Sequence, residues 1–151
     1  MPRMTGGEAR ECFAAARVAT LATADASGRP HLVPVVFALT GGTLAFAVDH
    51  KPKGSARLKR LENIRANDSL CLLVDAYDED WDRLWWARAD GRGRVLPPAA
   101  RCGTAARYVA LLGEKYREQY AGRPPQGPVV EIEVERWSGW RAAEREPDTE
   151  L

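Results

Sequence analysis

The 151-residue chain is poor in the residues from which metal centres and covalent active sites are usually built. It has two histidines, His31 and His50, and three cysteines, Cys12, Cys71 and Cys102, none in a CxxC spacing. That inventory argues against a histidine-rich metal site, and an odd number of scattered thiols reads as reduced side chains rather than as a disulfide framework. No GxSxG elbow, P-loop or HExxH occurs, and "GRGRVL" lacks the third glycine and the strand-to-helix context of a dinucleotide fingerprint. No apolar run approaches the ~20 residues that span a bilayer, which leaves out a membrane partner. The N-terminal stretch lacks the basic start, apolar middle and small-residue cleavage site of a secretory signal, so the expected location is the cytoplasm. Net charge is also scarce, at +1. A near-neutral chain has no broad basic face for nucleic acid.

What is present is an ordinary globular balance, 45% apolar and 28% charged, in a length that suits one domain over residues 1–151. Thr5 and Glu8 make a capping box that opens a short helix. The period then changes to strands over 18–25, 31–39 and 43–49, linked by "ASGRP" and "TGG", the spacing of an antiparallel meander. Pro34 cannot donate to a ladder and is expected to interrupt its strand, at an edge, a bulge or a ligand. Leu58, Leu61 and Ile64 recur at helical spacing, predicting a helix over 55–66 with Arg57 and Arg60 on its outward face. Strands follow over 69–77 and 81–96, with Gly91 and Gly93 as bulge candidates, then a helix over 104–121. A last strand over 128–142 alternates Val130, Ile132 and Val134, and a polar tail occupies 142–151. The sum is mainly β with appended α: about six antiparallel strands in a barrel and about three helices.

Three constellations carry chemistry. Lys51, Lys53, Arg57, Lys59 and Arg60 crowd ten positions where a helix begins, together with Ser55. Free N–H groups and the helix dipole at such a junction favour an anion, although a solvated helix face would show the same charges. The run "HLVPVV" offers an apolar wall with backbone polar groups left unpaired by Pro34, the surface a flat ring needs. His31 within it fits a packing role as well as a ligand contact. Trp81, Trp85 and Trp86 fall in six positions beside Arg83 and Arg88. Adjacent Trp85 and Trp86 on a strand must point to opposite faces, one into the barrel and the other to an interface or a ligand groove. The acidic "DAYDED" lacks calcium-loop spacing and reads as a solvated loop.

The order "RVATLATADASGRPHLVPVVFAL", "AVDHKPKGSARLKRLENIRANDSLCLLVD", "RLWWARADGRGRVL" resembles the split-barrel flavin and deazaflavin oxidoreductases related to pyridoxamine 5'-phosphate oxidase. It is most similar to an actinobacterial subgroup associated with coenzyme F-420, through "VDHKPK", "LKRLENI" and "RLWWARADG", and the resemblance spans about residues 8–141. It implies a six-stranded FMN-binding-type split barrel, a homodimer, and a cofactor in a groove between the subunits. The phosphate of that cofactor would sit on His50, Lys51, Lys53, Ser55, Arg57 and Arg60, and its ring against His31, Val33, Pro34 and Val35. Trp85, Trp86 and Arg88 are the remaining candidate cofactor contacts. The implied activity is hydride transfer between reduced coenzyme F-420 and a small organic substrate. The alternatives are an FMN-dependent enzyme of the same fold, or a module that binds a flavin, deazaflavin or haem without turnover.

Overall fold

The computed structural model describes residues 3–49 and 58–143. Helix α1 (Gly6–Ala15) opens on the expected capping box, with the Thr5 hydroxyl accepting from the Glu8 N–H and the Thr5 N–H donating to the Glu8 carboxylate, both at 3.1 Å. Strands β1 (Ala19–Ala24), β2 (Pro30–Val35), β3 (Ala38–Thr40) and β4 (Thr43–Ala47) follow. Then come α2 (Lys59–Ala66), β5 (Ser69–Ala76), β6 (Trp85–Leu96), α3 (Gly103–Lys115), α4 (Arg117–Tyr120) and β7 (Val129–Arg141). Seven strands form one antiparallel sheet in the order β2-β1-β5-β6-β7-β4-β3.

The seventh strand corrects the expectation of six, and its cause is local. The run 31–39 breaks at Val36–Phe37 instead of at Pro34, which lies inside β2 opposite Thr20 on the sheet's open edge. Phe37 is fully buried and leaves the ladder because side chains supply its partners. Its N–H donates to the Tyr116 hydroxyl at 3.1 Å, and its carbonyl accepts from Lys115 Nζ at 2.9 Å. The break sends β2 and β3 to opposite edges of the sheet, so the sheet curls toward closure without closing. The same residues explain why the helix expected over 104–121 is two helices. Tyr116 leaves helical geometry (φ −116°, ψ 47°), which aims its hydroxyl at Phe37 and raises the helix count among the described residues to four. Residues 81–83 form a 3-10 turn capped by Asp80 instead of the first residues of β6.

Inside the curl, Leu21, Phe46, Leu72, Ile64 and Ile132 pack with Phe13 of α1, whose ring meets Phe37 at 5.8 Å and Trp137 at 5.3 Å, both edge-on. Outside, α3 covers β4 and the start of β7 through Ala105, Tyr108 and Val109 against Ala45 and Val129. No helix covers the outer face of β2, β1, β5 and β6 among the described residues, and Leu32 and Leu73 stand 65% and 37% exposed there.

The expected bulge is present. Register shifts between Asp90 and Gly91, which puts one extra residue, Glu135, into β7. The shift has a large effect on which side chains point where. Val130 and Ile132 face the core, and strict alternation would send Arg136, Ser138 and Trp140 inward as well. After the bulge Trp137 and Gly139 point inward instead, and Arg136, Ser138 and Trp140 turn out.

The seam at Phe37 gives the chain a readable pH dependence. Burial, then the nearby Arg17 guanidinium, lowers Lys115 from 10.5 to about 8. Burial, with Glu131 beside Tyr108 and Asp49 beside Tyr120, raises those phenols from 10.0 to about 12. Between pH 8 and 10 the unfolded chain holds a proton on residue 115 that the native chain has lost, so the contribution of Lys115 to stability rises with pH. Above pH 10 the native phenols keep protons that the unfolded chain releases, so stability falls. From about pH 9 the thiols of Cys12 and Cys71, which burial pushes above 9.0, also keep protons that the unfolded chain releases. Urea unfolding should therefore become harder from about pH 8 to 9, and Lys115→Met should abolish that rise but not the later fall. An unchanged rise in that variant would remove Lys115 as its cause.

Candidate functional site

Strand β2 divides its residues by parity. His31, Val33 and Val35 pair with Thr23, Leu21 and Ala19 on the inner face, whereas Pro30, Leu32 and Pro34 face out opposite Ala24, Ala22 and Thr20. Of the four β2 residues expected to line a ring, Pro34 is therefore on the opposite face from the other three, and Val35 is core.

Helix α2 is fastened to this strand pair. Leu61 and Ile64 sink into the core as the leucine stripe predicted, and buried Asn63 donates to buried Thr23 at 3.1 Å. Thr23 is the cross-strand neighbour of His31, and Arg60 lies one turn before Asn63. Lys59 meets Asp25, just past the end of β1, at 3.8 Å. Lys59, Asn63 and His31 thus share one corner, with Arg60 on the same turn of α2 and Asp49 beside it. Two polar atoms there, Arg60 Nε and His31 Nδ1, are buried with no hydrogen-bond partner. This corrects the outward face expected for Arg60: the side chain is half-buried, and burial lowers its pKa, opposed by Asp49. A guanidinium Nε and an imidazole Nδ1 buried without hydrogen-bond partners suit a ligand group that is not part of the protein, above all an anion. His50, Lys51, Lys53, Ser55 and Arg57, and the start of the helix expected at 55, lie outside the described residues.

The tryptophan pair separates as its spacing required. Trp85 packs against the core and lines a cavity of about 620 Å³ between α1 and β5, with Cys12, Arg17, Val18 and Asp75. Trp86 turns to the uncovered face, where the Arg88 guanidinium lies 5.7 Å from its ring centre. Trp86 and Arg88 are three strands from β2, so within one chain they do not meet the His31–Arg60 corner. A second cavity of about 280 Å³ lies beside the broken strand, between Val36, Asp49, Tyr116 and Tyr120. Its tyrosines were missed in the sequence, because their helical spacing matches that of packing residues. The acidic loop is built from turn bonds, with Asp78 accepting from the Asp80 N–H and Asp80 from the Asp82 N–H. Among the described residues no three of His, Cys, Asp or Glu gather as metal ligands, and no helix is long and apolar enough to cross a membrane.

Comparison with known structures finds this fold repeatedly at low identity. An FAD-binding protein from Mesorhizobium loti is 23% identical, covers 94% of this chain and 96% of its own, and superposes with a TM-score of 0.70. A haem storage protein from Vibrio cholerae is 16% identical, with 85% and 89% coverage and a TM-score of 0.66. An FAD-binding protein from Mycobacterium smegmatis is 16% identical, with 93% and 98% coverage and a TM-score of 0.59. No curated protein matches the sequence. The family model described as pyridoxamine 5'-phosphate oxidase matches residues 5–141, nearly every described residue of the sheet and its helices. With its open seven-stranded sheet and the α2 corner inside that span, the chain belongs to the pyridoxamine 5'-phosphate oxidase family.

Proposed function

We propose that the chain is a coenzyme F-420-dependent oxidoreductase that works as a homodimer, with the deazaflavin held between two subunits and a small organic molecule as its substrate. The observation that carries this reading is the α2 corner, where buried Arg60 Nε and His31 Nδ1 face no protein partner beside the most basic stretch of the sequence. Its donors would bind the cofactor's phosphate, and the inner face of β2 would border its ring. Five Lys and Arg side chains over 51–60 exceed what one phosphomonoester engages, which favours a cofactor with further anionic groups over FMN. The bound deazaflavin supplies hydride transfer at its C5. The protein's part is position and exclusion of water, for which the single chain is incomplete: Leu32 and Leu73 leave an apolar sheet face open to solvent, and a second copy would cover it. The FAD-binding relatives support a flavin-type ligand. The haem storage relative supplies the competing reading of a binding module without turnover.

Absorbance and fluorescence titration with coenzyme F-420, FMN and haemin tests the ligand. Tight deazaflavin binding is expected, and tight FMN binding without it would replace the first cofactor by the second. Binding of haemin alone would overturn the oxidoreductase reading. Lys53→Ala and Arg57→Ala should each weaken cofactor binding by about 1–3 kcal/mol, roughly 5- to 150-fold. Equal affinity in both variants would return the stretch to a solvated surface. Sedimentation should find a dimer, and a cofactor-loaded monomer would remove the groove.

A further inference from the structure

The outward turn of β7 after its bulge builds a second site. Cross-strand pairing sets Trp86 opposite Trp140, Arg88 opposite Ser138 and Asp90 opposite Arg136. The N-terminal segment adds Arg3, which bridges Trp140, and the Met4 N–H donates to the Gly139 carbonyl at 3.0 Å. The six side chains Arg3, Trp86, Arg88, Arg136, Ser138 and Trp140 enclose a cavity of about 330 Å³, near the lower end of the ~300–1,000 Å³ of small-molecule pockets.

Its chemistry is one-sided. Of three guanidinium groups, Arg88 is paired, with Asp90 at 3.0 Å, whereas Arg3 and Arg136 have no carboxylate partner among the described residues. Ser138 Oγ and Trp140 Nε1 are buried and have no hydrogen-bond partner. Leaving such groups unsatisfied is costly, so the site holds donors that the fold itself does not use. Guanidinium and indole N–H groups only donate, and the hydroxyl can join them. A ligand rich in acceptors and carrying negative charge fits that set. Two indole walls add a preference for a flat, apolar body.

We infer that this cavity binds the anionic group of a small planar aromatic acid, a carboxylate or phosphate, with the ring against Trp86 and Trp140. The cavity is formed by β6 and β7 of one chain, away from the α2 corner. Because Trp86 and Arg88 are also candidate cofactor contacts on the face that a second copy would cover, titration with and without cofactor separates the two ligands.

The test is calorimetric and tryptophan-fluorescence titration of the full chain, with and without FMN or coenzyme F-420, using 2-naphthoate, phenyl phosphate and neutral 2-naphthamide. Saturable binding of one anion, at least tenfold tighter than the amide, is expected, and the tighter of the two identifies the anion as carboxylate or phosphate. Arg136→Gln, on an exposed side chain, should weaken it at least tenfold, and Trp140→Phe, which keeps a ring and removes the N–H, about fivefold. No saturable binding of either anion, or binding unchanged in both variants, would overturn the inference. Anion binding that survives without any cofactor binding would count against the proposed function alone.

Discussion

Gly91→Ala is expected to destabilise the fold by about 3 kcal/mol, a fall in melting temperature of roughly 6–12 °C for a chain of this size. A Cβ at that position would meet the Glu133 carbonyl oxygen at 2.3 Å and the Val134 Cα at 3.1 Å. Both obstacles are backbone held in the β6–β7 ladder, so neither can move aside without breaking pairs on each side of the bulge. Gly93 provides the control. The first atom its Cβ would meet is Leu70 Cδ2 at 2.6 Å, the far end of a side chain that can rotate, so Gly93→Ala should cost distinctly less. Urea unfolding of the two variants measures the difference. Equal, small losses would show that the close approach at residue 91 does not hold the bulge. Because the bulge also turns Arg136, Ser138 and Trp140 outward, any Gly91→Ala protein that folds should bind 2-naphthoate more weakly.

Tyr116→Phe should cost about 2–3 kcal/mol although it removes one oxygen atom. That oxygen accepts the Phe37 N–H at 3.1 Å and lies 3.1 Å from the Phe37 carbonyl and 3.0 Å from the Arg17 carbonyl. The Phe37 carbonyl retains Lys115 Nζ after the substitution, but the Phe37 N–H is left buried without an acceptor. Amide hydrogen exchange should report this directly, with exchange at Phe37 accelerated more than at Leu44, a buried position of β4 away from the seam. Unchanged exchange at Phe37 would mean that another group replaces the phenol.

The fold was largely legible because its signals are local. The capping box of Thr5 and Glu8, the stripe of Leu61 and Ile64, and the glycine beside the bulge each act on near neighbours in the chain. What escaped was set at long range. The strand break at Phe37 depends on Tyr116, 79 positions away, and no periodicity in 31–39 announces it. The alternation of Val130, Ile132 and Val134 was visible, but one extra residue at 135 decides the face of Arg136, Ser138 and Trp140, and alternation cannot count it. At the α2 corner, the resemblance drew attention to Arg60 and His31, but their burial without partners required the packed helix.

Strand β2 carries prolines at 30 and 34 on an open edge. Proline has no N–H, and its nitrogen is tolerated in a sheet where it points away from the ladder, so these positions present their nitrogens to the free side. Along 30–34 that side is left with Leu32 as its single outward donor. An edge so depleted is a poor template for another strand, which guards the chain against edge-to-edge aggregation. The proposed homodimer would accordingly meet through the flat side of the sheet and not at this rim.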